Sequence, residues 1–147
     1  MIAIQVMNES HVAQVAELEK CCFTAPWSEN SIRYELTNPI SLWLVAVEDG
    51  KLLGYVGSQS VMGEADMMNV AVEPESRRRG IGRRLVEDLV QALKDRQVNS
   101  LTLEVRASNK PAKALYDQLG FLQIGRRPNY YRNPKEDALI LRKEWAE

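Results

Sequence analysis

The chain has one histidine, His11, and two cysteines, Cys21 and Cys22, in 147 residues. That is too few for a Cys/His metal site, and no metal is expected. A Ser-His-Asp or Cys-His catalytic set would have to be built on His11 alone and is discounted. His11 stands near a helix start and reads as solvated. Adjacent cysteines rarely form an unstrained disulfide, so Cys21 and Cys22 read as small buried thiols on a helix. No apolar run approaches the roughly 20 residues of a membrane span. The N-terminus, Met1-Ile2-Ala3-Ile4-Gln5-Val6, lacks the basic segment of a secretory signal. A cytoplasmic location with no membrane partner is expected. Neither charge sign is in excess: 19 Lys and Arg face 20 Asp and Glu, a net charge of −1. Direct nucleic-acid binding is therefore not expected. No repeat, low-complexity tract or Pro/Gly-rich linker divides the chain. With 45% hydrophobic and 27% charged residues, it reads as one soluble domain over 1–147, a monomer by expectation.

The most informative stretch is Arg77-Arg78-Arg79-Gly80-Ile81-Gly82. A strand-like run, Met67 to Val72, leads into it, and an amphipathic helix pattern, Ile81 to Arg96, leads out. A glycine turn at a helix start presents unpaired N–H groups at the positive end of the helix dipole. That is a site for phosphate or pyrophosphate. Gly80 and Gly82 let the backbone approach an anion without a Cβ in the way. A nucleoside-triphosphate loop would need four residues between its glycines, then Lys and Ser or Thr. Arg83 and Arg84 stand there instead. A dinucleotide fingerprint would need a third glycine where Leu85 stands. The plainer alternative is a glycine-softened turn with a solvated basic cluster.

Along the chain, Ile2 to Val6 reads as a strand. Asn8 caps a helix running to about Cys22, broken by Thr24-Ala25-Pro26-Trp27. Ser28 caps a second, short helix that ends before Asn38-Pro39. Leu42 to Val47, Lys51 to Val61 and Ala65 to Val72 form a meander with turns at Glu48-Asp49-Gly50 and Gly63-Glu64. Ile81, Leu85, Leu89 and Leu93 mark one apolar helix face. Ser100 to Val105 is a strand, and Asn109 to Leu119 a helix closed by Gly120. Phe121 to Arg126 and Ala138 to Leu141 are the last strands. The order β-α-α-β-β-β-α-β-α-β-β predicts an α/β (α+β) three-layer domain, a mixed sheet with helices on its faces.

This order, with Arg-x-x-Gly-x-Gly after the third meander strand, resembles the GCN5-related N-acetyltransferases. Five segments narrow the resemblance: Cys22 to Ser28, Asn69 to Val72, Leu103 to Asn109, Ala114 to Tyr116 before Leu119-Gly120-Phe121, and Arg126 to Tyr131. They are closest to the branch that acetylates protein N-termini, among them an alanine N-terminus of a small-subunit ribosomal protein. The resemblance covers nearly the whole chain. It implies this fold, with a mostly antiparallel sheet, and acetyl-CoA as donor. Backbone groups of Val70, Ala71 and Val72 would pair with the pantetheine arm as an added strand pairs with a sheet edge. Arg78, Arg79, Gly80, Ile81, Gly82 and Arg83 would cradle the pyrophosphate, with Asn109 touching the cofactor beyond. Asn109 is equally a helix cap. Glu104 would be the general base, although a carboxylate between Leu103 and Val105 is more often a solvent-face residue. Tyr116 would protonate the leaving thiolate, although it could simply pack against Leu119 and Phe121. Trp27, Tyr130 and Tyr131 could wall a groove for the peptide N-terminus. Arg126 and Arg127 read as a solvated pair.

The chemistry fits these residue types. An α-amino group, with a pKa of about 7.7–8.0, is roughly a tenth neutral at pH 7, whereas a lysine near 10.4 is neutral in about 0.04% of molecules. A carboxylate relaying through water suffices for the first. The tetrahedral oxyanion then needs a donor, for which an N–H near Val70 is expected. Two other readings stay open: acetylation of a lysine side chain or small amine on the same fold, and an acyl-CoA-binding module without turnover. The presence of both Glu104 and Tyr116 argues against the second.

Overall fold

The computed structural model describes residues 1–132 and 134–145. Among the described residues, seven strands and four helices follow the expected order. The strands are β1 Ala3–Val6, β2 Ser41–Glu48, β3 Lys51–Val61, β4 Glu64–Val72, β5 Ser100–Arg106, β6 Leu122–Tyr131 and β7 Glu136–Glu144. The helices are α1 Glu9–Cys22, α2 Glu29–Glu35, α3 Ile81–Asp95 and α4 Lys110–Gln118. One 3₁₀ turn, Pro74–Ser76, was not expected; Pro74 at its first position suits a tight turn that carries β4 toward α3. The last hairpin is longer than the sequence suggested. β6 reaches Tyr131 and β7 spans both sides of its apolar centre, because pairing with a neighbour extends a strand beyond its hydrophobic residues.

The sheet order is β1-β2-β3-β4-β5-β7-β6, antiparallel throughout except where β4 meets β5. The apolar residues of α3, with Ile81, Leu85, Leu89 and Leu93 almost wholly buried, cover one face together with α4. The other face carries α1 and α2 over Trp43, Val45, Tyr55 and Ala71. Each fully buried side chain of this size contributes about 1.5–3 kcal/mol.

Two details correct the sequence reading. His11 is buried, not solvated: its Nδ1 accepts the Asn8 N–H at 3.0 Å in a reciprocal capping box, and burial lowers its pKa. The cysteines are not both buried. Cys21 is exposed and Cys22 half-buried, because Cys22 packs on the α1-side core and its neighbour Cys21 points away from it.

The feature that positions the site is a split in the sheet. β4 and β5 run parallel but pair only from Glu64 to Asp66 against Ser100 to Thr102. Beyond that point they diverge. The register of β4 on β3 slips there: Ser58 pairs with Met67 but Gly57 with Asn69, leaving Met68 as an extra residue. Such a bulge bends its strand and raises its twist. Met67 and Val70 face the α3 side, whereas Met68 packs on the α1 side and Asn69 reaches a carboxylate of α1. β4 thus turns away from β5 and leaves a strand edge that has no partner strand among the described residues.

Candidate active site

The open edge of β4 runs from Asn69 to Val72. Glu73 N–H donates to the Leu53 carbonyl of β3 at 2.8 Å. Backbone groups alternate along an antiparallel strand. Ala71 and Asn69 therefore pair toward β3, opposite Tyr55 and Gly57, while the backbone groups of Val70 and Val72 point into the split. The Val72 carbonyl is accordingly free of β3 and accepts Arg77 Nε at 3.1 Å. Of the three residues expected to offer backbone groups to a ligand, Val70 and Val72 turn theirs into the split. Ala71 is corrected to a β3-facing position by strand alternation.

The turn after β4 was expected to cradle an anion. Arg78 and Gly80 both have positive φ, 67° and 76°, which curls the backbone N–H groups toward a common concavity. Gly80 caps α3 without any side-chain bond. The first intrahelical bond runs from Arg84 N–H to the Gly80 carbonyl, 3.0 Å, so the N–H groups of Ile81, Gly82 and Arg83 lie ahead of the ladder. A Cβ on Gly82 would meet only Val72 Cγ2, at 3.8 Å. Packing does not demand glycine here. Arg79 pairs with Glu48 at 3.1 Å, and Arg83 donates to Gln118 at 3.1 Å. Among the described residues, Arg78 has no carboxylate partner. Asn109 caps α4, accepting the Ala112 N–H at 3.2 Å.

Glu104 lies on β5 just past the point where β4 leaves it. Leu101, Leu103 and Val105 point into the α3-side core, so Glu104 faces the α1 side. Its Oε2 is 3.0 Å from Arg127 Nη1. Tyr116 comes from α4 on the opposite face. It is 4% exposed, packs edge-on against Phe121 at 5.3 Å, and turns its hydroxyl to Met67 Sδ at 3.8 Å. Met67 belongs to β4 beside the bulge. The carboxylate and the phenol thus flank the same split from opposite faces of the sheet.

Burial pushes the Tyr116 phenol up to about 12. It therefore stays protonated through the neutral range and can donate a hydrogen bond. The same shift has a stability consequence. The unfolded chain's phenols titrate near 10, so above that pH the unfolded state releases its proton first. Stability due to Tyr116 is complete below pH 10 and should fall by up to about 1.4 kcal/mol per pH unit between 10 and 12. Tyr131 is also raised to about 12, mainly by burial and then by Glu104, but solvent weakens its share. Urea denaturation at pH 8, 10 and 11 should show this decline. Tyr116→Phe should reduce its slope.

The α1-facing side carries the aromatic residues. Trp27, half-buried, packs edge-on against Trp43 at 5.4 Å, and Trp43 stacks on Tyr55 at 5.9 Å. Tyr130 and Tyr131 meet edge-to-face at 5.1 Å. Arg127 lies over the Tyr130 ring at 4.9 Å and Arg106 over Tyr131 at 4.3 Å. Arg126 and Arg127 are both exposed, as expected, but each also has a carboxylate partner: Arg126 binds Asp137 at 3.1 Å and Arg127 binds Glu104 at 3.0 Å. The sequence reading missed Arg127 and Arg77 as partners of the site. Neither has a local signal: one lies 23 positions from Glu104 and the other touches a backbone oxygen.

A split parallel pair, a free β4 edge and an N-terminal helix cradle behind it define an acetyltransferase of the GNAT type. The Acetyltransferase (GNAT) family pattern matches residues 12–121, and the chain belongs to that family. A Bacillus subtilis protein provisionally assigned as a [ribosomal protein bS18]-alanine N-acetyltransferase is 40% identical, with 95% of this chain and 93% of that protein aligned. The Salmonella typhimurium [ribosomal protein bS18]-alanine N-acetyltransferase is 36% identical over 96% of each chain. The crystal structure of the Escherichia coli ribosomal-protein-S18-alanine N-acetyltransferase superposes with a TM-score of 0.92 at 34% identity, covering 100% of this chain and 96% of that one. The expected fold class is borne out.

Proposed function

We propose that this protein transfers the acetyl group of acetyl-CoA to the α-amino group of a protein N-terminus, that of alanine-starting ribosomal protein bS18 in the first place. The observation that carries the reading is the placement of Glu104 and Tyr116 on opposite faces of one split beside a free strand edge. The relatives named above support the substrate. The donor fits the residues present: Val70 and Val72 offer backbone groups for an extended amide arm, and the turn from Arg78 to Arg83 offers N–H groups and positive charge for a pyrophosphate. Asn109, exposed at the start of α4, would touch the donor beyond them.

The acceptor enters from the α1 side, between Trp27 and the Tyr130–Tyr131 end of β6. Its α-ammonium replaces Arg127 as the cation facing Glu104. Glu104, directly or through a water, takes the amine proton, and the neutral nitrogen attacks the thioester carbonyl carbon. The Val70 N–H, pointing into the split, stabilises the oxyanion. As the C–S bond breaks, the nitrogen releases its second proton to solvent, the sulfur leaves as a thiolate, and Tyr116 donates a hydrogen bond to it from the α4 side. A thiol has a pKa near 8.5, so the thiolate leaves tolerably unaided. Tyr116→Phe should therefore slow transfer less than loss of Glu104 does.

Mass spectrometry of an alanine-starting bS18 peptide with an internal lysine, after incubation with acetyl-CoA, tests the reading. The acetyl group should appear on the α-amine. Label on the lysine with a free N-terminus favours the side-chain alternative, and no label on any amine favours a binding module.

A further inference from the structure

Glu19 is a buried carboxylate that this mechanism leaves without a task. It lies in the last turn of α1 and is wholly buried, 0% exposed. Burying a carboxylate is costly unless its oxygens are satisfied. Three donors from three separate segments satisfy it. The backbone N–H of Trp27 in the α1–α2 loop donates to Oε1 at 2.8 Å. Asn69 Nδ2 of β4 donates to Oε2 at 2.8 Å, and the Tyr55 hydroxyl of β3 donates to the same oxygen. The charge raises the Tyr55 pKa after burial does so, which keeps that phenol a donor.

The three donors are not scattered. Trp27 belongs to the loop that walls the acceptor entrance. Asn69 follows the bulge at Met68 and immediately precedes Val70, whose N–H points into the split. Tyr55 stacks on Trp43, and Trp43 supports the Trp27 ring. One carboxylate therefore ties the acceptor-side loop to the donor-side strand, from the Trp27 backbone to the Asn69 side chain. A purely stabilising role is served better by an apolar residue at this position, since a buried ion gains little over good packing.

We infer that Glu19 is a positioning residue. Its carboxylate fixes the Thr24–Ser28 loop relative to the β4 bulge, so that the incoming amine and the thioester carbonyl meet at Val70 in register. The inference rests on the acetyl transfer proposed above. Removing the charge should loosen the loop without touching the pyrophosphate cradle, which sits at the far end of β4.

The test uses Glu19→Gln, Asn69→Asp and the double variant. Glu19→Gln sets two amide groups against each other, and Asn69→Asp sets two carboxylates together. The double variant restores one carboxylate and one amide with the positions exchanged. Glu19→Gln should raise the peptide KM or lower kcat so that kcat/KM falls about tenfold to a hundredfold, the worth of a charged hydrogen bond. Acetyl-CoA affinity by calorimetry should change less than twofold. The double variant should recover part of the lost kcat/KM. Hydrogen exchange reads the loop whatever the acceptor is: the Trp27 amide should lose about tenfold to a hundredfold of its protection in Glu19→Gln, while α1 and β4 stay protected. If wild-type protein acetylates no α-amine, the functional reading falls and the exchange result still judges the tether. An unchanged Trp27 amide, or a folded Glu19→Gln variant with wild-type peptide kinetics, overturns the inference. So does an equal loss of peptide and acetyl-CoA binding, which marks a general structural role.

Discussion

Glu104→Gln should lower kcat about 10²–10⁴-fold, the usual worth of a positioned general base, while leaving acetyl-CoA affinity unchanged. The amide is nearly isosteric with the carboxylate but cannot take the amine proton. Its effect on stability should be small. The Arg127 pair that it breaks is exposed on the arginine side, with 54% of that side chain in solvent, and such pairs contribute about 0–1 kcal/mol. The loss should also depend on pH. Below about pH 7.7 most α-amino groups are protonated, and the base matters most; at higher pH a growing fraction arrives neutral and the deficit should shrink. Steady-state rates of both proteins between pH 6.5 and 9.5, with calorimetry for acetyl-CoA, check the prediction. A wild-type rate at pH 7 would remove Glu104 from the mechanism.

Gly82→Leu should weaken acetyl-CoA binding about tenfold to a hundredfold or more, as one or two charge-assisted backbone bonds to the pyrophosphate are lost. The variant is a clean probe because the fold has room for its Cβ. The added Cβ touches only Val72 Cγ2 at an ordinary 3.8 Å, and leucine is a better helix former than glycine. Gly80 does not offer the same clarity. Its φ of 76° strains any side chain by about 1–2 kcal/mol, so a loss of binding there would mix with a loss of folding. Calorimetry and a thermal melt, read together, separate the two. Unchanged affinity in a stable Gly82→Leu protein would move the pyrophosphate away from this turn.

The elements and the glycine turn were legible in the sequence for local reasons. Hydrophobic period, caps and glycines act over a few residues. Ile81, Leu85, Leu89 and Leu93 could only line one helix face, Asn8, Ser28 and Asn109 all cap the helices expected of them, and Gly80 does take the left-handed turn. The family resemblance carried the site further, naming Glu104 and Tyr116 when periodicity alone would have read one as surface and the other as core. Their local character agrees with both readings: Glu104 is on the polar side of β5 and Tyr116 is packed on Phe121.

What only the tertiary structure decided lies between elements. The extra residue Met68 bends β4 away from β5, and no periodicity announces a one-residue slip. That slip opens the split and sets which backbone groups face it, so Val70 and Val72 turn inward while Ala71 does not. Arg127 finds Glu104 across two strands of the last hairpin, and Glu19 gathers donors 8, 36 and 50 positions away. Partners so distant in the chain are chosen by strand register and helix docking. The sequence determined the parts and their chemistry; the packed sheet determined which of them meet.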